Sequence, residues 1–193
     1  MIIAIDLFVL GAAMVITISG LWINITKRVH KSEKKPDDQE DRNSLLLFRF
    51  AVPLALVGSL FIFFTGGPWL LDSIFVFALG LFLLVIGLLV RWYAVWQLGQ
   101  AFTVKLQVSE QQKLTTDGIF KYLRHPSYSG LLLYYIGLGL MMGNTLCLAI
   151  LIILPLWAVL NRIGLEEKLL LSHFGEAYAA YQERTWRVLP WIY

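Results

Sequence analysis

A single cysteine in 193 residues, Cys147, excludes any disulfide within the chain and any cysteine-built metal cluster. Histidine is nearly as rare. His30, His125 and His173 are the whole supply, and with no H-E-x-x-H run and no paired Cys/His spacing, no metal site is expected. Charged residues make up only 15% of the chain against roughly 25% in soluble domains. With 58% hydrophobic residues, that balance argues against a water-soluble protein. The net charge of +3 carries little information, and no nucleic-acid partner is expected. The first apolar stretch lacks the basic start and small-residue end of a cleaved signal peptide, with Asp6 in place of a basic residue, so it reads as a retained helix.

Charge-free sequence, by contrast, is abundant. A membrane crossing needs about 20 predominantly apolar residues to span about 30 Å of hydrocarbon. Stretches 7–26, 50–71, 73–90 and 126–161 qualify. The last has room for two short crossings with a turn at Gly143, Asn144 and Thr145. The expectation is an all-α integral membrane protein with about five transmembrane helices. Residues 1–96 would carry three helices around a polar linker, 27–43, and residues 97–193 would form the working region with the hairpin 126–161.

All 16 Lys and Arg residues fall on one side of such a layout. The short opposite turns, around Gly66, Gly67 and Pro68 and around Asn144, contain none. The positive-inside rule then puts the N-terminus outside and the C-terminus in the cytoplasm of a plasma or inner membrane. Arg91, at the inner end of the third stretch, reads as a headgroup-snorkelling residue.

Two regions on the basic side are rich enough in composition to hold a site. Residues 97–124 carry turn signals at Gly99 and at Thr115-Thr116-Asp117-Gly118, around an alternating patch of Val104, Leu106 and Val108. Residues 162–193 read as a continuing helix, with Leu165, Leu169, Phe174, Tyr178 and Tyr181 recurring at helical steps. The aromatic end, Trp186 to Tyr193, is expected on or against the bilayer. Gly137-Leu138-Gly139 sits inside an apolar stretch and reads as a helix-packing element.

Two polar motifs stand out. In Arg124-His125-Pro126-Ser127-Tyr128, a proline suited to the first helical turn follows a basic pair, which reads either as a lipid anchor or as an anion-binding corner with free helix-start N–H groups. Arg162 and Glu166, with Glu167 beside them, share a helix face and read alone as an ordinary ion pair. A hairpin opening at Pro126 and closing at Arg162 brings both motifs to one depth on the cytoplasmic side.

The ordered set Leu114-Thr-Thr-Asp-Gly118-Ile-Phe120, Arg124-His125-Pro126-x-Tyr128-x-Gly130, Arg162-x-x-x-Glu166-Glu167, Phe174-Gly175-Glu176-x-Tyr178-x-x-Tyr181 and Pro190 resembles the isoprenylcysteine carboxyl methyltransferase family and its prokaryotic relatives. More loosely it resembles the phospholipid N-methyltransferases. The resemblance implies S-adenosylmethionine as cofactor, in a cytoplasmic pocket made by the 97–124 loop and the C-terminal helix. Implied loop contacts are Gln112, Lys113, Leu114, Thr115 and Phe120, with Lys105 upstream; Phe120 stands where the family usually has Tyr, and Gln112 where a His is common. His125 and Tyr128 are implied from the second motif, and Glu166 or Glu167 for the cofactor's ammonium, the other glutamate orienting Arg162. Arg162 is the choice for the substrate carboxylate, since a guanidinium grips it at two points and keeps its charge. The implied partners are a prenylated or lipid-like acceptor entering from the bilayer and the membrane lipids themselves. A phospholipid amine acceptor, or a sterol-type reductase using NADPH, are the alternatives.

Overall fold

The structure, a computed structural model, describes residues 2–26, 38–66, 73–99 and 113–190. Its helices are α1 (Ile2–Thr26), α2 (Asp38–Thr65), α3 (Ile74–Leu98), α4 (Pro126–Met141), α5 (Thr145–Phe174) and α6 (Glu176–Glu183), with a 3-10 turn at Gly118–Lys121 before α4. Local chemistry sets the ends. Ser73 caps α3 by accepting from the Phe75 N–H, and Asn144 caps α5 by accepting from the Leu146 and Cys147 N–H groups. Gly175, at φ 56°, ends α5 in a conformation that favours glycine.

Among the described residues, four helices are long and apolar enough to cross a membrane: α1, α2, α3 and α5. The fifth expected crossing falls on α4, which has 16 residues and so measures about 24 Å, short of the hydrocarbon thickness. Helix α5 has 30 residues and runs for about 45 Å, so one helix carries both the last apolar stretch and the Arg162–Glu167 motif. The expected single run through Tyr181 is broken at Gly175 into α5 and α6. Helices α2 and α3 also exceed their apolar stretches, the first starting at Asp38 and the second continuing to Leu98. Most of the 27–43 linker and the Val104, Leu106 and Val108 patch lie outside the described residues.

Helices α3 and α4 pack antiparallel at very short range. A Cβ on Gly137 would sit 2.5 Å from Gly80 O, and one on Gly130 would sit 2.5 Å from Gly87 O and 2.6 Å from Arg91 N. Without a hydrophobic force between helices in lipid, such small-residue contact is what lets them associate. A Cβ on Gly139 would sit 2.8 Å from Leu148 Cα of α5, so both glycines of the Gly-x-Gly element pack. The close crossing also corrects the reading of Arg91: it is 8% exposed, and its Nη1 donates to Ser127 O at 3.0 Å and Ser127 Oγ at 3.2 Å. With α4 this near, a buried carbonyl is closer than any headgroup.

Helices α2 and α5 form the second antiparallel pair. Ser59 Oγ donates to Cys147 O at 3.4 Å and Cys147 Sγ donates to Ser59 O at 3.3 Å, so the cysteine bonds as well as packs. Helix α1 covers α3 and α4 through Val9, Ala13 and Ile16, with the Trp22 ring tilted against that of Trp92, centroids 4.8 Å apart.

Gly130→Val should force α3 and α4 apart, because its new atoms meet backbone rather than flexible side chain. The expected cost is about 1 to 3 kcal/mol, read as a lowered thermal midpoint in detergent. An unchanged midpoint would contradict the close crossing.

Candidate functional site

Helix α4 starts at Pro126, whose fixed φ suits the first turn and whose missing N–H is not needed there. The segment before it needs hydrogen-bond partners, and the C-terminal tail supplies them. Arg124 N–H donates to Trp186 O at 2.8 Å, His125 N–H to Arg187 O at 3.0 Å, and Trp186 N–H returns to Tyr122 O at 3.1 Å, a parallel bridge between residues 123 and 186. Ser129 Oγ adds a bond to Val188 O at 2.6 Å.

The described part of the tail packs on the protein, where it completes the backbone pairing of 122–125; Trp191 to Tyr193 are outside the described residues. The expected anion corner has fewer free donors than the sequence implies, since the Arg124 and His125 N–H groups go to the tail and those of Tyr128 and Ser129 to His125 O.

Beneath this splice lies Glu167, 5% exposed. Its Oε1 accepts from Arg124 Nε at 2.8 Å and lies 3.3 Å from His125 Nε2, and its Oε2 accepts from Arg187 Nε at 2.8 Å, with Nη2 at 2.7 Å. Arg124 also reaches Gln182 O at 2.9 Å and the Thr185 carbonyl. Four stretches of chain therefore meet at one carboxylate: the loop, α5, the end of α6 and the tail. The arrangement does not have Glu167 orienting Arg162, which pairs with Asp41 of α2 through Nη1 and Oδ1 at 2.6 Å.

Glu166, the next residue, faces outward, its side chain 32% exposed. Its Oε2 accepts from the Tyr128 hydroxyl at 3.2 Å and lies 3.8 Å from His125 Nδ1, so both imidazole nitrogens face carboxylates. His125 is 5% exposed and acts as a spacer between the two glutamates. The Phe48 ring of α2 stands 6.2 Å from that of Tyr128. The structure thus brings together His125, Tyr128, Glu166, Glu167 and, through α2, Arg162.

In the loop, Gln97 at the end of α3 pins the turn. Its Nε2 donates to Asp117 O at 2.6 Å and its Oε1 accepts from Ile119 N–H at 3.3 Å. Lys113 is exposed, and Leu114 and Thr115 are half-buried. Lys105 and Gln112 lie outside the described residues. Phe120, expected among cofactor contacts, is 5% exposed and supports the loop from within, its carbonyl accepting from the Tyr181 hydroxyl at 2.6 Å. Burial pushes that hydroxyl up to about 12, which keeps it a donor at neutral pH.

Sequence reasoning missed Asp41, Gln97, Arg187 and the Tyr178 hydroxyl. Tyr178 is 1% exposed, its oxygen is buried with no hydrogen-bond partner, and it lies within electrostatic reach of Glu166 and Glu167. Its place in the Phe174–Tyr181 motif was the one available signal. Asp41 sits 121 positions from its partner, in a run that reads as a linker.

A sequence model of the family described as "Isoprenylcysteine carboxyl methyltransferase (ICMT) family" matches residues 78–172. A "Probable protein-S-isoprenylcysteine O-methyltransferase" of Oryza sativa subsp. indica is 35% identical over 128 residues, covering 65% of this chain and 66% of that protein. The protein-S-isoprenylcysteine O-methyltransferase of Schizosaccharomyces pombe is 36% identical over 112 residues, 56% of this chain and 47% of its own. The chain thus spans about two thirds or less of these curated relatives. A solved structure, described as that of the eukaryotic intramembrane Ras methyltransferase of the isoprenylcysteine carboxyl methyltransferase type, overlays with a TM-score of 0.65. At 24% identity, covering 97% of this chain and 68% of that one, it speaks for a shared fold.

Glu167→Gln should leave Arg124 and Arg187 facing an uncharged partner. Breaking a buried pair costs about 3 to 5 kcal/mol, and the half-exposed Arg187 keeps the loss at the lower end. A lowered thermal midpoint with faster proteolysis of the tail after Glu183 is expected. A tail as resistant as the parent's would remove Glu167 from its anchoring role.

Proposed function

Because this chain belongs to the isoprenylcysteine carboxyl methyltransferase family, we propose that it is an integral membrane methyltransferase acting on the carboxylate of a lipophilic, S-prenylcysteine-like acceptor with S-adenosylmethionine as donor. The observation that carries this reading is the meeting of the two polar motifs at one end of the bundle, His125 lying 3.3 Å from Glu167 and 3.8 Å from Glu166.

The donor set fits the cofactor. Glu167 has both oxygens engaged, whereas Glu166 is a third exposed and free to face solvent, so Glu166 is the seat for the cofactor's ammonium. The Tyr178 hydroxyl, buried with no hydrogen-bond partner among the described residues and within electrostatic reach of Glu166, is available to a polar group of the cofactor. Tyr128 orients Glu166, and His125 spaces it from Glu167. Lys113, Leu114 and Thr115 lead into the Gln97-pinned turn as loop contacts, and Lys105 and Gln112 complete the set that the family resemblance implies.

Bound there, S-adenosylmethionine would supply an electrophilic methyl group to an acceptor carboxylate oxygen, its sulfur keeping the electron pair of the broken carbon–sulfur bond, with no proton to be moved. A carboxylate is already a nucleophile at pH 7, so the chain needs no general base. What it contributes is alignment, with reacting atoms held about 3 to 3.5 Å apart, and exclusion of water. Arg162, 3% exposed, holds the acceptor carboxylate in a dry setting. The prenyl chain enters laterally from the bilayer and the cofactor from the cytoplasm. Helix α4 makes the short fifth crossing beside α5, with the N-terminus outside and the C-terminus inside.

Topology is tested by single cysteines at Asn43 and Thr116 in a Cys147→Ser background. A membrane-impermeant thiol reagent should label them only when the cytoplasmic face is opened; labelling in intact cells would overturn the orientation.

The site is tested by calorimetric titration with S-adenosylhomocysteine alongside turnover per folded molecule. Glu166→Gln should weaken binding roughly 10- to 150-fold, the worth of one charge-assisted hydrogen bond. Arg162→Ala should keep that affinity within a few-fold while methyl transfer collapses, and Arg162→Lys should recover part of it, since lysine lacks the planar two-point grip. Unchanged turnover in Arg162→Ala would remove it from the mechanism, and binding of NADPH in place of S-adenosylhomocysteine would overturn the reaction class.

A further inference from the structure

Helix α2 lies outside the segment matched by the family model, residues 78–172, yet its inner turns face the site. Asp41 pairs with Arg162, and Phe48 stands 6.2 Å from Tyr128. Ser44 lies between them. At 3.6 residues per turn, Asp41, Ser44 and Phe48 fall within an arc of about 60°, whereas neighbouring Arg42 and Asn43 are exposed. Ser44 is 6% exposed, and its hydroxyl has no hydrogen-bond partner. A buried hydroxyl left unsatisfied is unfavourable and calls for a ligand that would satisfy it.

Resting on the acceptor reading above, we propose that this face of α2 is the acceptor-recognition wall: the acceptor carboxylate displaces Asp41 from Arg162 and takes the hydrogen bond that the Ser44 hydroxyl holds unused. Asp41 is the placeholder. Arg162 is 3% exposed, so an unpaired guanidinium there is strongly unfavourable and an anion must accompany it before the acceptor arrives. Two carboxylates drawn to one buried guanidinium repel each other, so one must leave. Asp41 is the one able to do so, being more exposed than Arg162, at 16% against 4% of the side chain, and in the first turn of α2. Ser44 lies one turn further along the helix into the bundle and Phe48 one turn beyond that. The acceptor's head would meet Arg162 and Ser44, and its apolar thioether arm would pass Phe48.

Ser44→Ala is the variant least able to disturb the fold, because it removes a hydroxyl without a partner. Its thermal midpoint should equal or exceed the parent's, its S-adenosylhomocysteine affinity should match, and its KM for an N-acetylated S-prenylcysteine should rise roughly 10-fold. Asp41→Asn removes the competitor for Arg162 and should lower that KM about 3- to 10-fold, with acceptor raising its thermal midpoint more than it raises the parent's. An unchanged KM in Ser44→Ala, or a raised KM in Asp41→Asn, would overturn the wall; a purely structural role would move midpoints without moving KM. Failure of the parent to methylate such an acceptor would instead overturn the proposed reaction. The wall is then judged on the acceptor-induced thermal shift, and it falls if Ser44→Ala shifts as far as the parent.

Discussion

The Glu167 carboxylate lies almost out of water, where an unbalanced charge is unfavourable by several kcal/mol. Arg124, His125 and Arg187 gather around it for that reason, and each arrives on a different piece of chain or from a different side. Arg124 draws in the end of α6 by bonding Gln182 and Thr185 carbonyls, and Arg187 brings the tail whose backbone pairs with 122–125. The entry to α4 is shaped by this gathering. With it are set the angle of His125, the outward turn of Glu166 and the place of Tyr128. Glu166 is left as the accessible carboxylate because its neighbour is fully engaged.

The same end of the bundle depends on how closely helices approach one another. Gly80 on Gly137 and Gly87 on Gly130 bring α3 and α4 nearly backbone to backbone, which puts the Arg91 guanidinium onto Ser127 in the first turn of α4. Ser59 and Cys147 tie α2 to α5 by reciprocal bonds, and farther along the same antiparallel pair Asp41 meets Arg162. Cations that would otherwise be headgroup anchors are thus turned inward. Because a guanidinium stays charged in any setting, each needs a fixed acceptor, and the helix pairs supply it.

The segment that matches the family model, residues 78–172, holds α4 and most of α3 and α5, and so both polar motifs. Asp41 on α2 and Arg187 on the tail stand outside it and complete the surroundings of Arg162 and Glu167. In the proposed enzyme this divides the work: the shared segment holds the cofactor and the transfer geometry, while α2 meets the acceptor.

By itself the sequence determined the membrane character, the apolar helices and the pairing of Arg124-His125-Pro126 with Arg162-x-x-x-Glu166-Glu167. Charge-free runs, helix starters and short turns are local signals, and a hairpin with a known turn has little choice about which ends meet. It also showed the helix continuing past Arg162, but not the break at Gly175 that divides the run into α5 and α6, since a glycine inside a helical pattern does not say whether the chain turns there. Only the tertiary structure decided which glutamate is enclosed and which is open. Glu166 and Glu167 are adjacent and chemically alike, and the 100° between them on the helix turns one toward Arg124 and Arg187 and the other toward solvent. It also decided that Arg162 meets Asp41, 121 positions away, and that Arg91 is buried. Those contacts depend on how two helix pairs cross, and the spacing of residues along a single helix carries no record of it.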